Sequence, residues 1–225
     1  MPLLGQAAML LTFDVVDDAI VEHDDWHTHE HLPERLSIPG FLRGTRWTAV
    51  EGSPRYLVLY EVDRLETLAS APYLERLDNP SEWTRKMMRH YRGMTRGLCS
   101  VVKSVGFGMG GFGLLVRFKP KPDKQASLQE WLGDVMVRLA VQPGLGSVHL
   151  LRSALTADMT SEQRIRGADS GVDWAMLATG YLQGAVSGLA RSELGAASLE
   201  REGAIDVASA TYQAAYTLTA QETVA

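Results

Sequence analysis

One cysteine in 225 residues leaves no partner for an intrachain disulfide. That lone thiol, Cys99, falls in the strand-like run 98–102 and reads as a small buried side chain, not a nucleophile. No stretch approaches the run of about 18 apolar residues that a membrane helix needs. Residues 1–6 place no basic region ahead of a long apolar segment, so they do not read as a signal peptide, and a soluble, cytoplasmic protein is expected. Basic charge is short as well: 22 Lys and Arg against 27 Asp and Glu give a net charge of −5, which supports neither nucleic acid nor an anionic membrane as a partner.

Histidine is scarce, and its distribution is uneven. Four of the six imidazoles, His23, His27, His29 and His31, lie within one short segment beside Glu30, Glu34 and Trp26. Imidazole is the side chain that changes charge nearest neutral pH, so this clustering with carboxylates and an aromatic ring marks the place where chemistry is expected.

The apolar pattern organises the rest of the chain. Residues 8–15 alternate at period two, with Met9, Leu11, Phe13 and Val15 on one face of a half-buried strand. A helix capped at Asp17-Asp18 then runs through the histidines and stops at Pro39-Gly40. Two strands, 41–50 and 55–62, meet at the turn 51–54. A helical region, 64–91, broken near Asp78-Asn79-Pro80, leads to a strand at 99–105. The order is βαββαβ, and it begins again: strand 114–118, amphipathic helix 127–139, a Pro143-Gly144 stop, strands 148–153 and 174–181, a helix near 186–199, and strand 211–218. The two Pro-Gly stops mark a duplicated unit. The fold class expected is α+β, a tandem duplication of a ferredoxin-like βαββαβ unit, with repeat one at 1–107 and repeat two at 108–225. Between them, residues 106–111 match G-x-G-x-x-G in form only, because a strand follows where a nucleotide site needs a helix N-terminus. The polar stretch 156–171 reads as a loop lengthening a hairpin of repeat two, either plainly solvated or covering a cleft.

On a wheel of about 100° per residue, His23, His27, Glu30 and Glu34 form one stripe, with His31 on its flank and Leu32 and Leu36 opposite, although Pro33 interrupts the geometry. Three readings are open. The i, i+4 histidines are spaced for two metal ligands; the polar residues are the outer face of a helix that buries Trp26 and Leu32; or His31, with Glu30 beside it, is a general acid or base. No second ligand cluster appears elsewhere, so no metal is expected.

Glu30-His31-Leu32-Pro33-Glu34-Arg35, with Trp26, 38–41 and Arg46-Trp47, resembles the EthD-like and related members of the dimeric α/β-barrel superfamily, whose first helix carries a Glu-His-x-Pro element before a Pro-Gly turn. The likeness is specific over residues 9–63. It implies a sheet that packs on a second copy, here within one chain, to close an intramolecular pseudo-dimeric α/β barrel. It also implies a small-molecule pocket between helices and sheet, with His31 and Glu30 catalytic. The superfamily includes cofactor-independent oxygenases, haem-degrading enzymes, muconolactone isomerases and polyketide cyclases, so it indicates a fold more narrowly than a reaction.

The resemblance carries Trp26 over as a substrate contact, and His27, outside the shared element, is added as a local one. Position adds Arg46 and Trp47, Tyr56 and Tyr60, and Trp83 and His90, the last two sharing a helical face, each of these six also readable as a core or barrel-interface residue. Arg85, Lys86, Arg89, Arg92 and Arg96 read as a basic run on that same helix, either a solvated face or the entrance for an anionic substrate. His149 stands apart on a strand and reads as structural. The function expected is acid–base catalysis on a small molecule without a cofactor: isomerisation, cyclisation or dehydration of an aromatic, lactone-like or polyketide-like substrate. The alternatives are a cofactor-independent or haem-dependent monooxygenase, and a non-catalytic protein that binds a hydrophobic ligand. Aligned on the Pro-Gly stops, Val135 stands where His31 does, so one site per chain is expected, with any homodimer made through surfaces outside the barrel.

Overall fold

A computed structural model describes residues 2–155, 160–167 and 169–224. Strand β1 (Ala7–Val15) is followed by a helix in three registers. These are α1 (Ile20–Trp26), a π-helical turn (His27–His31) and α2 (Leu32–Leu36). Pro33 accounts for the change: its ring nitrogen cannot donate to the preceding turn and its ring crowds the carbonyl four residues back, so the chain widens there. The cap expected from Asp17-Asp18 is not made, and those residues form a short 3₁₀ turn instead.

Next come β2 (Phe41–Glu51), β3 (Tyr56–Val62), α3 (Ala71–Asp78), α4 (Glu82–Met88) and β4 (Tyr91–Gly106). The helical region therefore ends at Met88, and β4 starts well before the expected strand at 99–105. The second half repeats the plan with β5 (Phe112–Pro120), α5 (Gln125–Leu139), β6 (Leu145–Leu155), α6 (Ser161–Arg166), β7 (Ser170–Gly171), β8 (Trp174–Gly180), α7 (Gln183–Gly188), α8 (Ala196–Arg201) and β9 (Ala204–Thr219). The helix expected near 186–199 is two short helices joined by a 3₁₀ turn. The Pro-Gly stops are structurally equivalent. Gly40 and Gly144 have φ of +92° and +89°, each immediately before a strand, a conformation that a Cβ would oppose.

The strands close into an eight-stranded antiparallel barrel in the order β1-β3-β2-β9-β5-β8-β6-β4, with β4 returning to β1. Both long strands bridge the halves. β4 pairs with β1 and then β6, and β9 pairs with β5 and then β2. The sheets therefore close edge to edge by hydrogen bonds as well as facing each other. No open face remains, which is why β1 is buried on both sides and not half-buried. Its Ala8 and Leu10 fill the barrel with Trp47, Leu57, Leu59, Cys99, Leu177 and Tyr212, whereas Met9, Phe13 and Val15 pack under the helices. The lumen is thus a packed core, and open space near the histidines lies between the first sheet and its helices. Cys99 is fully buried there, and burial pushes its thiol up to about 12, as suits a packing residue. Among the described residues no helix is long and apolar enough to cross a membrane.

Candidate functional site

The widened turn decides which imidazoles face inward. His23, His27, His31 and Arg35, four residues apart, form the buried stripe, and each is at most 5% exposed. Glu30 and Glu34 do not share it. This corrects the wheel, and it also removes the outer-face reading for three of the four histidines; only His29 is exposed. A regular α-helix would carry a spacing of four steadily off the face, but a π turn holds it in line.

His27, His31 and Arg35 line a narrow cavity with Met9, Leu11 and Phe13 of β1, Tyr73 and Leu77 of α3, and Tyr91, Met94 and Arg96 of β4. The far wall comes from the other half of the chain: Glu162 and Arg166 of α6. The centre of a water molecule can occupy only about 20 Å³ of this space, near the minimum that one water requires.

The His31 ring lies 4.4 Å from Trp26 and 5.5 Å from His27, centroid to centroid. Among the described residues, the Nδ1 atoms of His27 and His31 are both buried without a hydrogen-bond partner. Burial, then the Arg35 charge, holds His31 well below the usual imidazole range. Burial and the neighbouring His23 and Arg46 do the same to His27. Both rings are therefore neutral at pH 7, each with one ring nitrogen left without a hydrogen-bond partner among the described residues. His27 Nε2 is 3.5 Å from the Tyr60 hydroxyl, and His23 Nε2 is hydrogen-bonded to the Tyr91 hydroxyl at 3.1 Å.

Charge on the cavity wall is mostly positive. Arg35 donates to Glu162 and, at 3.3 Å, to Glu34. Burial opposes its charge, but Glu162, Tyr73 and Glu34 hold its guanidinium above the usual range. Arg166 makes a two-point pair with Asp169 (2.7 and 3.0 Å) and lies 3.8 Å from Glu162. Arg96 donates to the Tyr73 hydroxyl at 3.1 Å.

The remaining expected contacts lie elsewhere. Glu30 is not paired with His31; it accepts hydrogen bonds from Trp26 Nε1, Ser81 and Thr84 and so ties the π turn to the start of α4. Trp26 is fully buried behind His31. Tyr56 donates to Asp24 at 2.9 Å, and Arg46 donates to the Asp24 carbonyl at 3.0 Å, both outside the cavity. Trp83 donates to Glu22 at 3.2 Å. His90 sits in the turn after α4, so it and Trp83 do not share a helical face. Arg92 and Arg96 are on β4, so the basic run does not follow one helix. His149 is buried between Ser104 and Ser147, and burial pushes it down to about 3, in keeping with a structural residue. Repeat two fills the equivalent region with Leu128, Leu132, Val135 and Met136.

Sequence reasoning missed Glu162, Arg166 and the role of Arg35. The spacing 23, 27, 31, 35 was the available signal for Arg35. Nothing local could have brought in α6, whose segment reads as a loop. Residues 156–159 and 168 of that segment lie outside the described residues; α6 itself packs against α3 and α4, with Ser161 N donating to Asp78 at 3.0 Å.

No protein-family model matches the sequence, and no curated protein does. Solved structures do match over nearly the whole chain. An anthrone oxidase-like protein superposes with a TM-score of 0.73 at 14% identity, covering 100% of this chain and 98% of the other. A candidate monooxygenase from Fusobacterium nucleatum subsp. nucleatum gives 0.59 at 10% identity, covering 96% and 95%. A haem-binding protein from Thermus thermophilus gives 0.52 at 11%, covering 95% and 92%. The fold is that of the dimeric α/β-barrel proteins. In this chain both halves of the barrel are supplied by one polypeptide.

As it stands the cavity, with room for about one water, admits neither a haem nor an aromatic ring, so any organic ligand requires lining side chains to move. Nor, among the described residues, are three His, Cys, Asp or Glu side chains gathered to hold a metal ion.

Proposed function

We propose that the chain is a small-molecule enzyme that works without an organic cofactor, with His31 taking a proton from an aromatic or polyketide-like substrate. The observation that carries this is the neutral His31 imidazole, its Nδ1 unpaired, in a cavity also lined by Arg35, Arg96 and Arg166. A neutral imidazole accepts a proton. The anion left on the substrate, an enolate or phenolate, is then stabilised by the guanidiniums, and the new imidazolium and the anion stabilise each other in a site that excludes water. Phe13, Leu77 and Met94 supply apolar walls for a planar ring.

Two fates of that anion are open to such a site. Reprotonation at another carbon gives isomerisation, cyclisation or dehydration. Attack on dioxygen gives oxygenation: a CH₂ group and O₂ become C=O and water, with all four electrons drawn from the substrate, so no external reductant is needed. The likeness to an anthrone oxidase-like protein favours the second fate.

The test is oxidation of anthrone and of an anthrone carboxylic acid under ¹⁸O₂, each corrected for the spontaneous reaction. One labelled oxygen in anthraquinone and one O₂ consumed per turnover, lost in His31→Ala, are expected. Turnover that consumes no oxygen moves the reading to isomerisation or cyclisation. Binding of substrates with no turnover at all moves it to a ligand carrier.

A further inference from the structure

Glu162 is out of place as a wall residue. It is 2% exposed, it comes from the opposite half of the chain, and it sets a carboxylate where Arg35 and Arg166 converge. Both arginines have other partners, Glu34 for Arg35 and Asp169 for Arg166. Among the described residues three guanidiniums line the cavity against one carboxylate, and Arg96 has only the neutral Tyr73 hydroxyl. Among the described residues the Nδ1 atoms of His27 and His31 have no partner either.

We propose that Glu162 occupies the place of a substrate's own carboxylate, so that this site takes an aromatic or polyene carboxylic acid, whose acid group displaces Glu162 and is received by Arg35, Arg166 and Arg96. This rests on the reading of the cavity as the substrate site. Exchange of one carboxylate for another keeps the charge in the cavity unchanged, so Arg35 stays paired. A neutral ligand pushing Glu162 aside leaves a buried guanidinium short of its partner, which is costly. The planar fork of arginine also matches a carboxylate with two parallel hydrogen bonds. Departure of Glu162 additionally opens a space that otherwise holds little more than one water, while the ring of the acid lies along Phe13, Leu77 and Met94.

Isothermal titration of the full chain with 2-naphthoate and its neutral isostere 2-naphthamide tests this. Naphthoate is expected to bind at least about 10-fold more tightly than the amide, and Glu162→Gln, which weakens the contact that any ligand must displace, to tighten naphthoate by a further factor of about 10. Arg96→Gln, on a half-buried strand position, is the second variant; it is expected to weaken naphthoate about 10-fold and leave the amide unchanged. Equal binding of acid and amide, or naphthoate affinity unmoved by both substitutions in proteins with native near-UV circular dichroism, overturns the proposal. His31→Asn separates this from the catalytic reading. Naphthoate preference that survives while turnover persists defeats the base assignment alone; preference absent in a protein whose turnover needs His31 defeats the carboxylate assignment alone.

Discussion

The guanidinium of Arg35, at the end of the first repeat's histidine helix, is hydrogen-bonded to the carboxylate of Glu162, which lies on an insertion in a hairpin of the second repeat. Both side chains are almost fully buried. The pair joins the two halves of the chain across the cavity, and its energetics can be separated. Glu162→Ala leaves a buried charge with only Glu34 as a partner and is expected to destabilise the protein by about 3–5 kcal/mol. The double variant Arg35→Met/Glu162→Leu removes both charges and is expected to be near wild type or more stable. Urea unfolding of the single and double variants checks this, and equal losses in both would show that shape, not charge, sets the cost.

His31→Ala is expected to lower kcat/KM by about 10²- to 10⁴-fold, the usual range for a lost general base. His90→Ala, in a turn away from the cavity, is expected to change it little. Equal effects of the two substitutions would remove His31 from the chemistry.

Acid should destabilise the protein earlier than carboxylate titration alone would. His23, His27, His31 and His149 are held below their ordinary range chiefly by burial. In the unfolded chain they protonate near pH 6.5, so below that pH the unfolded state binds more protons and stability falls, by about 1.4 kcal/mol per pH unit for each imidazole. Above about pH 7 these groups contribute no pH dependence. Urea unfolding at about pH 7.5, 6.5 and 5.5 reads the slope, and His27→Gln is expected to reduce it by one proton's worth. A flat profile would contradict the burial of these rings as neutral species.

Glu30→Ala acts through the scaffold. It deprives the buried Trp26 N–H and the start of α4 of an acceptor and is expected to cost about 1–3 kcal/mol of stability. Thermal unfolding checks this. A catalytic loss with unchanged stability would instead support the role first expected for Glu30 beside His31.

A single ligand site per chain is expected, because Val135 and its apolar neighbours fill in repeat two the space that His31 borders in repeat one. A titration showing two equivalent sites would break that asymmetry.

What the sequence determined by itself is the repeated plan. Period-two apolar runs, the amphipathic helix 127–139 and two Pro-Gly stops are local signals, and each follows from backbone sterics and side-chain periodicity that act over a few residues. They were enough to place the order of the barrel strands, the duplication and the histidine helix, but not the starts of β4 and β9, which lie well before the expected 99 and 211. They were not enough to give the register of that helix, because Pro33 widens the turn before it and so rotates Glu30 and Glu34 out of the stripe and His31 and Arg35 into it. Barrel closure was decided only when β4 and β9 crossed between halves, since pairing partners distant in sequence leave no local mark. The far wall of the site was decided in the same way. Glu162 and Arg166 meet His31 and Arg35 only because an insertion in one repeat folds over the cavity of the other, and no periodicity within residues 156–171 carries that information.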